Sequence, residues 1–410
     1  IELAQPQEHT SAEVIWVLGV LADRVAGPSG SANRTVLDIR WFGVLGGTLL
    51  LAAMIVAWWA LRSLLGRGQV WTGWLALAVL APVAVAFFDL HTTSFLNSFY
   101  RDGAAHVWLA WLFAATCAAA AAWKLARGAI AAAAALVATS AQAHGDVAML
   151  VAAALGLSLW FGRRPRGLVR VVWALAIVVL MGITVFMVRY GRQAEPDQVF
   201  NALYLGVLAV ADHPAELLDG AGLPRESVTR IGRTSFDAEN VQFVRSHGRM
   251  LNRRTELLVL RSAPENIPRL LLRAFGRLHW PELPYSMTED GAPPNLRGRF
   301  LPWSVWGEWS QYLPRGSGAI ALLSVALAAS ALIAWRREGA ARFLAISGVT
   351  CATLTFSESL LAVLGNGFVD LERHLLLASL CYDLALWFPL AALVAILVSP
   401  ASGPLRIGAE

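Results

Sequence analysis

The chain has 410 residues, 57% of them hydrophobic and only 15% charged, which excludes an ordinary soluble domain. Its net charge of +5 sits in short loops between apolar runs, so it sets orientation in a membrane and does not point to nucleic acid. Cys117, Cys351 and Cys381 all fall in apolar runs, which argues against a disulfide framework, and no Cys/His spacing suggests zinc.

Residues 1–40 come first. Val14, Ile15, Leu18, Leu21 and Ala22 recur at a helical period between Glu13 and Asp23. This predicts a helix lying on the membrane surface or packed into an external domain. Nine apolar runs follow, each read as a span because hydrocarbon cannot hydrogen-bond a peptide group. They are Trp41–Leu61, Val70–Phe88, His106–Trp123, Leu125–Ala141, Val147–Phe161, Leu168–Val188, Ala319–Trp335, Phe343–Val363 and Leu375–Val398. The fourth and fifth are short, and a re-entrant hairpin is the alternative for that pair. Between the sixth and seventh lies a polar block. Within it Phe200–Ala211 and Ile267–Leu278 read as helices, Thr255–Leu260 as strand or helix, and Glu282–Arg299 as irregular loop.

Basic residues test the count. Arg62 and Arg67 follow the first run, Lys124 and Arg127 the third, Arg163, Arg164, Arg166 and Arg170 the fifth, and Arg336, Arg337 and Arg342 the seventh. Every second short loop is therefore basic and is placed in the cytoplasm. The organisation expected is an all-α polytopic bundle with one external α/β or mainly α domain. Its parts are an external segment 1–40, spans over 41–189, the external domain 190–317, spans over 318–400 and a cytoplasmic tail 401–410. Parity also places residue 1 outside, so an earlier span is expected before Ile1.

Acids and histidines collect on the external side of this topology. Asp89, His91, Asp102, His106, His144, Asp146, Asp370, Glu372, Arg373 and His374 flank outer span ends, and Glu358 and Asp383 lie inside spans in their outer halves. Intramembrane carboxylates mark a cavity, an ion pair or a substrate path. Asn97, Tyr100, Arg101 and Asp102 form a polar connector suited to binding hydroxyls or a phosphate. Trp303, Trp306 and Trp309 with Glu308 read either as an interfacial belt or as a carbohydrate-stacking surface, the belt being favoured. No phosphate loop, dinucleotide fingerprint or nucleophile elbow occurs in a suitable context.

Several stretches carry a resemblance: Asp38-Ile-Arg-Trp-Phe-Gly43, Phe95-Leu-Asn-Ser-Phe-Tyr-Arg-Asp102, Asn201-Ala-Leu-Tyr-Leu-Gly-Val-Leu208, Asp212-His-Pro, Leu217…Gly222-Leu-Pro224, and Asp370-Leu-Glu-Arg-His374 with Tyr382-Asp383. The pattern resembles the GT-C superfamily of polytopic glycosyltransferases, and more narrowly the bacterial surface-glycan (S-layer type) hexose transferases. The resemblance implies a bacterial plasma-membrane enzyme with a polyprenyl-phosphate sugar as donor, a glycan acceptor and an outer-face site. It implies a carboxylate as base, with Asp102, Asp383 and Asp38 as candidates. Asp102 and Asp383 serve alternatively to bind sugar hydroxyls or to orient cations. Arg373, His374 and Arg101 are the candidates for the lipid phosphate, with Asp370 beside them. The superfamily usually places its base in the first external loop, of which only the tail is present, and Asp38 is the nearest candidate there. A divalent metal is the one cofactor the resemblance allows, and no metal pattern stands in the sequence. Membrane lipids and protein partners in a complex are further expected contacts. Three other functions fit the same polar map: an O-antigen polymerase or ligase, a lipid-linked-glycan transporter, and a non-catalytic membrane subunit.

Overall fold

The computed structural model describes residues 40–65, 70–88, 101–121, 196–278, 309–310, 312–368, 371 and 375–398. The predicted surface helix around Val14–Ala22, the fourth to sixth spans and the loop Glu282–Arg299 lie outside the described residues. Among those described the fold is helical, with no strand. The membrane helices are α1 (Arg40–Leu65), α2 (Val70–Phe88), α3 (Arg101–Ala120), α9 (Ser317–Arg336), α10 (Gly339–Asn366) and α11 (Leu376–Val398). Five of them, all but α3, are identified as long and apolar enough to cross a bilayer. The polar block is built from α4 (Pro196–Asn201), α5 (Pro214–Gly220), α6 (Ala238–His247), α7 (Arg253–Ser262) and α8 (Asn266–Phe275), with a π turn at Ala202–Val207.

One boundary moves candidate site residues. The third span begins at Arg101, five residues before His106, so Arg101 and Asp102 lie in a helical first turn and not in a preceding connector. Thr255–Leu260, read as strand or helix, is helix. Asn252 caps α7 by accepting from the Thr255 amide at 3.1 Å, and the apolar residues Val259 and Leu260 then share a buried face.

Two cores form. One joins α1, α2 and α3 to α10 and α11 through Leu50, Ala57, Leu61, Val83, Phe87, Ala114, Leu344 and Phe388. The other fuses the polar domain to α9, α10 and α11, with Phe200, Leu203, Tyr204, Leu218, Leu270 and Phe275 packed in one cluster with Leu323, Val363, Ala378 and Tyr382. The domain therefore buries its apolar surface against membrane helices, which is how so small a block acquires a full core.

Small and polar residues inside the spans have local explanations. A Cβ on Gly348 of α10 would lie 2.5 Å from Ser330 Oγ of α9, so glycine permits that close approach. Hydroxyls in α10 bond back to their own helix, as Thr350 does to the Ile346 carbonyl (2.9 Å) and Thr355 to that of Cys351 (2.9 Å). His106 of α3 bonds through Nε2 to the carbonyl of Phe87 (2.9 Å), one of the last carbonyls of α2 that has no partner within its own helix. His106 is buried and its ring lies 4.9 Å from that of Phe87, which makes it a helix-end cap.

Candidate active site beneath the polar domain

Glu358 in α10 and Asp383 in α11 lie at one depth. Glu358 is eight residues before the end of α10 at Asn366, and Asp383 is eight residues after Leu375. At helical rise each sits roughly 12 Å from the end that carries the polar domain. Both are buried, at 0% and 4% exposure. The sequence places Glu358 nearer the surface; α10 continues to Asn366 and brings it level with Asp383. Cys351, Thr355 and Glu358 follow helical spacings of four and three along one face of α10. Across from them Cys381 hydrogen-bonds Cys351, and both carboxylates lie within electrostatic reach of its thiol. Tyr382, next to Asp383, is fully buried in the core shared with the domain. The acids thus sit directly under the polar block.

Side chains of that block cover the end of α10. Arg253 Nη1 donates to the Leu364 carbonyl (2.5 Å) and Nη2 to that of Gly365 (3.4 Å), while Nη1 also pairs with Glu256 (2.5 Å). A cation is favoured at a helix C-terminus, where carbonyls lack partners within the helix. Glu256 is almost wholly buried, and burial pushes its carboxyl above the usual range despite the pull of Arg253. Gly367 follows with φ of +64°, and a Cβ there would lie 2.1 Å from the Asn201 carbonyl oxygen. Only glycine fits both the conformation and the space. A Cβ on Gly206 of the π turn would likewise lie 3.4 Å from Gly367 Cα.

The stretch Asn201–Leu208 therefore docks the domain on α10. Asn201 Oδ1 accepts from the Ser235 amide (2.8 Å). Tyr204 stacks on Phe200 at 4.4 Å, and its hydroxyl bonds to Ser227 Oγ (2.7 Å). Burial raises the Tyr204 phenol to about 12, against the Ser227 hydrogen bond and the nearby Arg230 charge, which lower it. Asp212 accepts from Arg269 (2.7 Å) at the surface, and that hydrogen bond holds its carboxyl below the usual range. Gly222, with φ of +75°, closes the turn after α5.

Of the predicted site residues, the structure brings Asp383 to the acid pair with Glu358. Arg101 and Asp102 are placed on the first turn of α3 by their backbone. Asp38, Asn97, Tyr100, Asp370, Arg373 and His374 lie outside the described residues, as do Trp303, Trp306 and Glu308. Trp309 is 71% exposed, as an interfacial residue beside a span would be. Among the described residues no three His, Cys, Asp or Glu side chains come together in a way that could hold a metal ion. Arg253 and Glu256 escape a sequence reading, since a charged pair three residues apart on a short helix ordinarily signals a solvated face. The one available hint is Asn252, a good N-cap that fixes where α7 starts.

No curated protein and no solved structure matches the chain at significance. One family model does match, described as the YfdI N-terminal transmembrane domain, over residues 24–252. That interval covers α1–α3 and runs through the π turn to the start of α7, which is more than half of the chain. The protein belongs to the YfdI N-terminal transmembrane domain family.

Proposed function

We propose that this protein is a membrane glycosyltransferase that moves a sugar from a polyprenyl-phosphate donor to a surface-glycan or lipid-linked acceptor. YfdI is itself a GT-C-like membrane glycosyltransferase, and this supports the reaction class. The observation that carries the reading is the level pair Glu358 and Asp383, buried in the spans directly beneath a polar domain. In this scheme the acceptor hydroxyl oxygen attacks the anomeric carbon of the donor sugar. The bond from that carbon to the phosphate oxygen breaks, and the polyprenyl phosphate leaves with the electron pair. The hydroxyl proton passes to a carboxylate. Asp383 is the candidate base or hydroxyl ligand in the described bundle, with Asp102 and Asp38 as the other two. Arg373, His374 and Arg101 would stabilise the departing phosphate. Asn97, Tyr100 and Asp370 would bind hydroxyls beside it. The domain side is assigned to the exterior and the C-terminus to the cytoplasm, following the arginine pattern of the short loops.

The test uses the full chain in proteoliposomes, with a radiolabelled hexose on polyprenyl phosphate and a lipid-linked glycan acceptor. Wild type is expected to form a labelled glycan. Asp383→Asn and Arg373→Ala are expected to lower transfer by at least about 100-fold while remaining folded. Normal transfer by both variants would overturn the assignment. Label that changes leaflet without a new glycosidic bond would identify a transporter instead.

A further inference from the structure

The last helix of the polar domain bridges the ends of two membrane helices. At one end, the Phe275 carbonyl of α8 accepts a hydrogen bond from the Gly316 amide (3.0 Å), immediately before α9 begins at Ser317. Leu272 Cδ1 lies 3.8 Å from where a side chain on Gly316 would start. At the other, Arg273 holds its guanidinium 4.1 Å over the ring of Phe368, two residues past the end of α10. Residues 272 and 273 are thus pinned at the boundary where α9 starts and α10 stops. That boundary is the level of lipid headgroups for any bilayer these helices cross.

What α8 presents there is basic and apolar together. Arg269 and Arg273 stand one turn apart on α8, Arg277 follows in the turn just past its end, and all three are exposed. Arg269 is neutralised by Asp212. Arg273 stands beside a second cation: partial withdrawal from water, and then the Arg277 charge, hold its guanidinium below the usual arginine range. An anion placed there would favour the charged guanidinium. Leu272, next to Arg273 in the chain, is 45% exposed, and Trp309 and Tyr312, just ahead of α9, are 71% and 88% exposed. Exposed leucine and aromatics with flanking arginines are costly in water and favourable at a headgroup layer.

We propose that the Arg273–Arg277 end of α8, with Leu272, Trp309 and Tyr312, is a binding surface for acidic phospholipid headgroups that holds the polar domain against the leaflet. The phosphodiester takes the arginines, and the aromatics and leucine enter the acyl boundary. This rests only on α9 and α10 crossing a membrane and is independent of the transferase reading.

Native mass spectrometry of the full chain in neutral detergent tests it, with phosphatidylglycerol and phosphatidylcholine titrated separately. Wild type is expected to prefer phosphatidylglycerol, and added salt to weaken that preference. R273Q/R277Q is expected to bind phosphatidylglycerol roughly 30-fold more weakly and phosphatidylcholine unchanged, at about fivefold per arginine. R273K/R277K, which keeps the charge, is expected to retain most of the affinity. If the glutamine pair does not fold, R277Q alone should show the fivefold loss. Equal binding of the two lipids by wild type overturns the proposal. So does unchanged phosphatidylglycerol affinity in the glutamine variants, or an equal loss in the lysine variant. One-for-one displacement of phosphatidylglycerol by polyprenyl phosphate would assign the surface to the donor and also overturn it.

Discussion

Trp387 of α11 donates its indole N–H to the carbonyl oxygen of Val79 in α2 at 2.9 Å. Val79 lies three residues before Pro82, a proline inside α2. Proline offers no N–H, which leaves the Ala78 carbonyl, four residues earlier and next to Val79, without its helical donor. In hydrocarbon such a group must find a donor within the protein. Trp387→Phe keeps most of the ring and removes the bond, so it is expected to destabilise the bundle by about 1–2 kcal/mol. Thermal unfolding in detergent measures this. An unchanged midpoint in the variant would show that the bond contributes nothing to the bundle.

Gly367 and Gly365 differ sharply although they are two residues apart. A Cβ on Gly367 meets the Asn201 carbonyl at 2.1 Å, whereas one on Gly365 meets nothing within 4 Å. Gly367→Ala must also hold φ at +64°. It is expected to destabilise the domain's attachment to α10 by about 2–4 kcal/mol, from backbone strain added to overpacking. Gly365→Ala, inside α10, is expected to be neutral or slightly stabilising. Limited proteolysis of residues 196–278 in the two variants separates them, and comparable cleavage would contradict the docking described at Asn201.

Glu256 gives stability a pH dependence of known sign. Its carboxyl is raised in the folded protein because burial outweighs the Arg253 charge. The folded state therefore holds a proton that the unfolded state releases, and stability falls as pH rises from the ordinary value of 4.5 toward the raised one. Above the raised value the loss is complete and the curve is flat. Glu256→Gln, which stays neutral and leaves an acceptor oxygen for Arg253, is expected to flatten this slope. Unfolding midpoints from pH 4.5 upward check it; an unchanged slope in the variant would assign the dependence to another group.

Span positions were legible because apolar length is a local property, and α2 and α11 fall where hydropathy puts them. Thr255–Leu260 stayed open between strand and helix, because alternation and helical period are indistinguishable over six residues and a single capping residue, Asn252, decides. The depth of Glu358 was misjudged because α10 gains its final turn through tertiary contacts at Arg253 and Gly367, which no window around residue 358 contains. His106 illustrates the opposite case. The sequence counts it among the polar residues of the outer face, but its partner, the Phe87 carbonyl, is nineteen residues away and makes it a structural cap. Asp212 and Tyr204, quoted for the resemblance, are held by Arg269 and Ser227 and support the domain's packing.

The acid pair yields a prediction in which stability and activity move in opposite directions. Two carboxylates buried at one depth, both felt by Cys381, lose hydration there. Neutralising one with an isosteric amide removes part of that cost. Glu358→Gln is therefore expected to raise stability by roughly 1 kcal/mol, or leave it unchanged, while lowering sugar transfer. Asp383→Asn should behave likewise. Because the two acids share one electrostatic environment, the double variant should gain less stability than the two single changes added together. Unfolding midpoints and transfer rates measured on the same four proteins decide it. Loss of several kcal/mol in either single variant would identify that carboxylate as half of a structural ion pair, and the argument from lost hydration would fall with it.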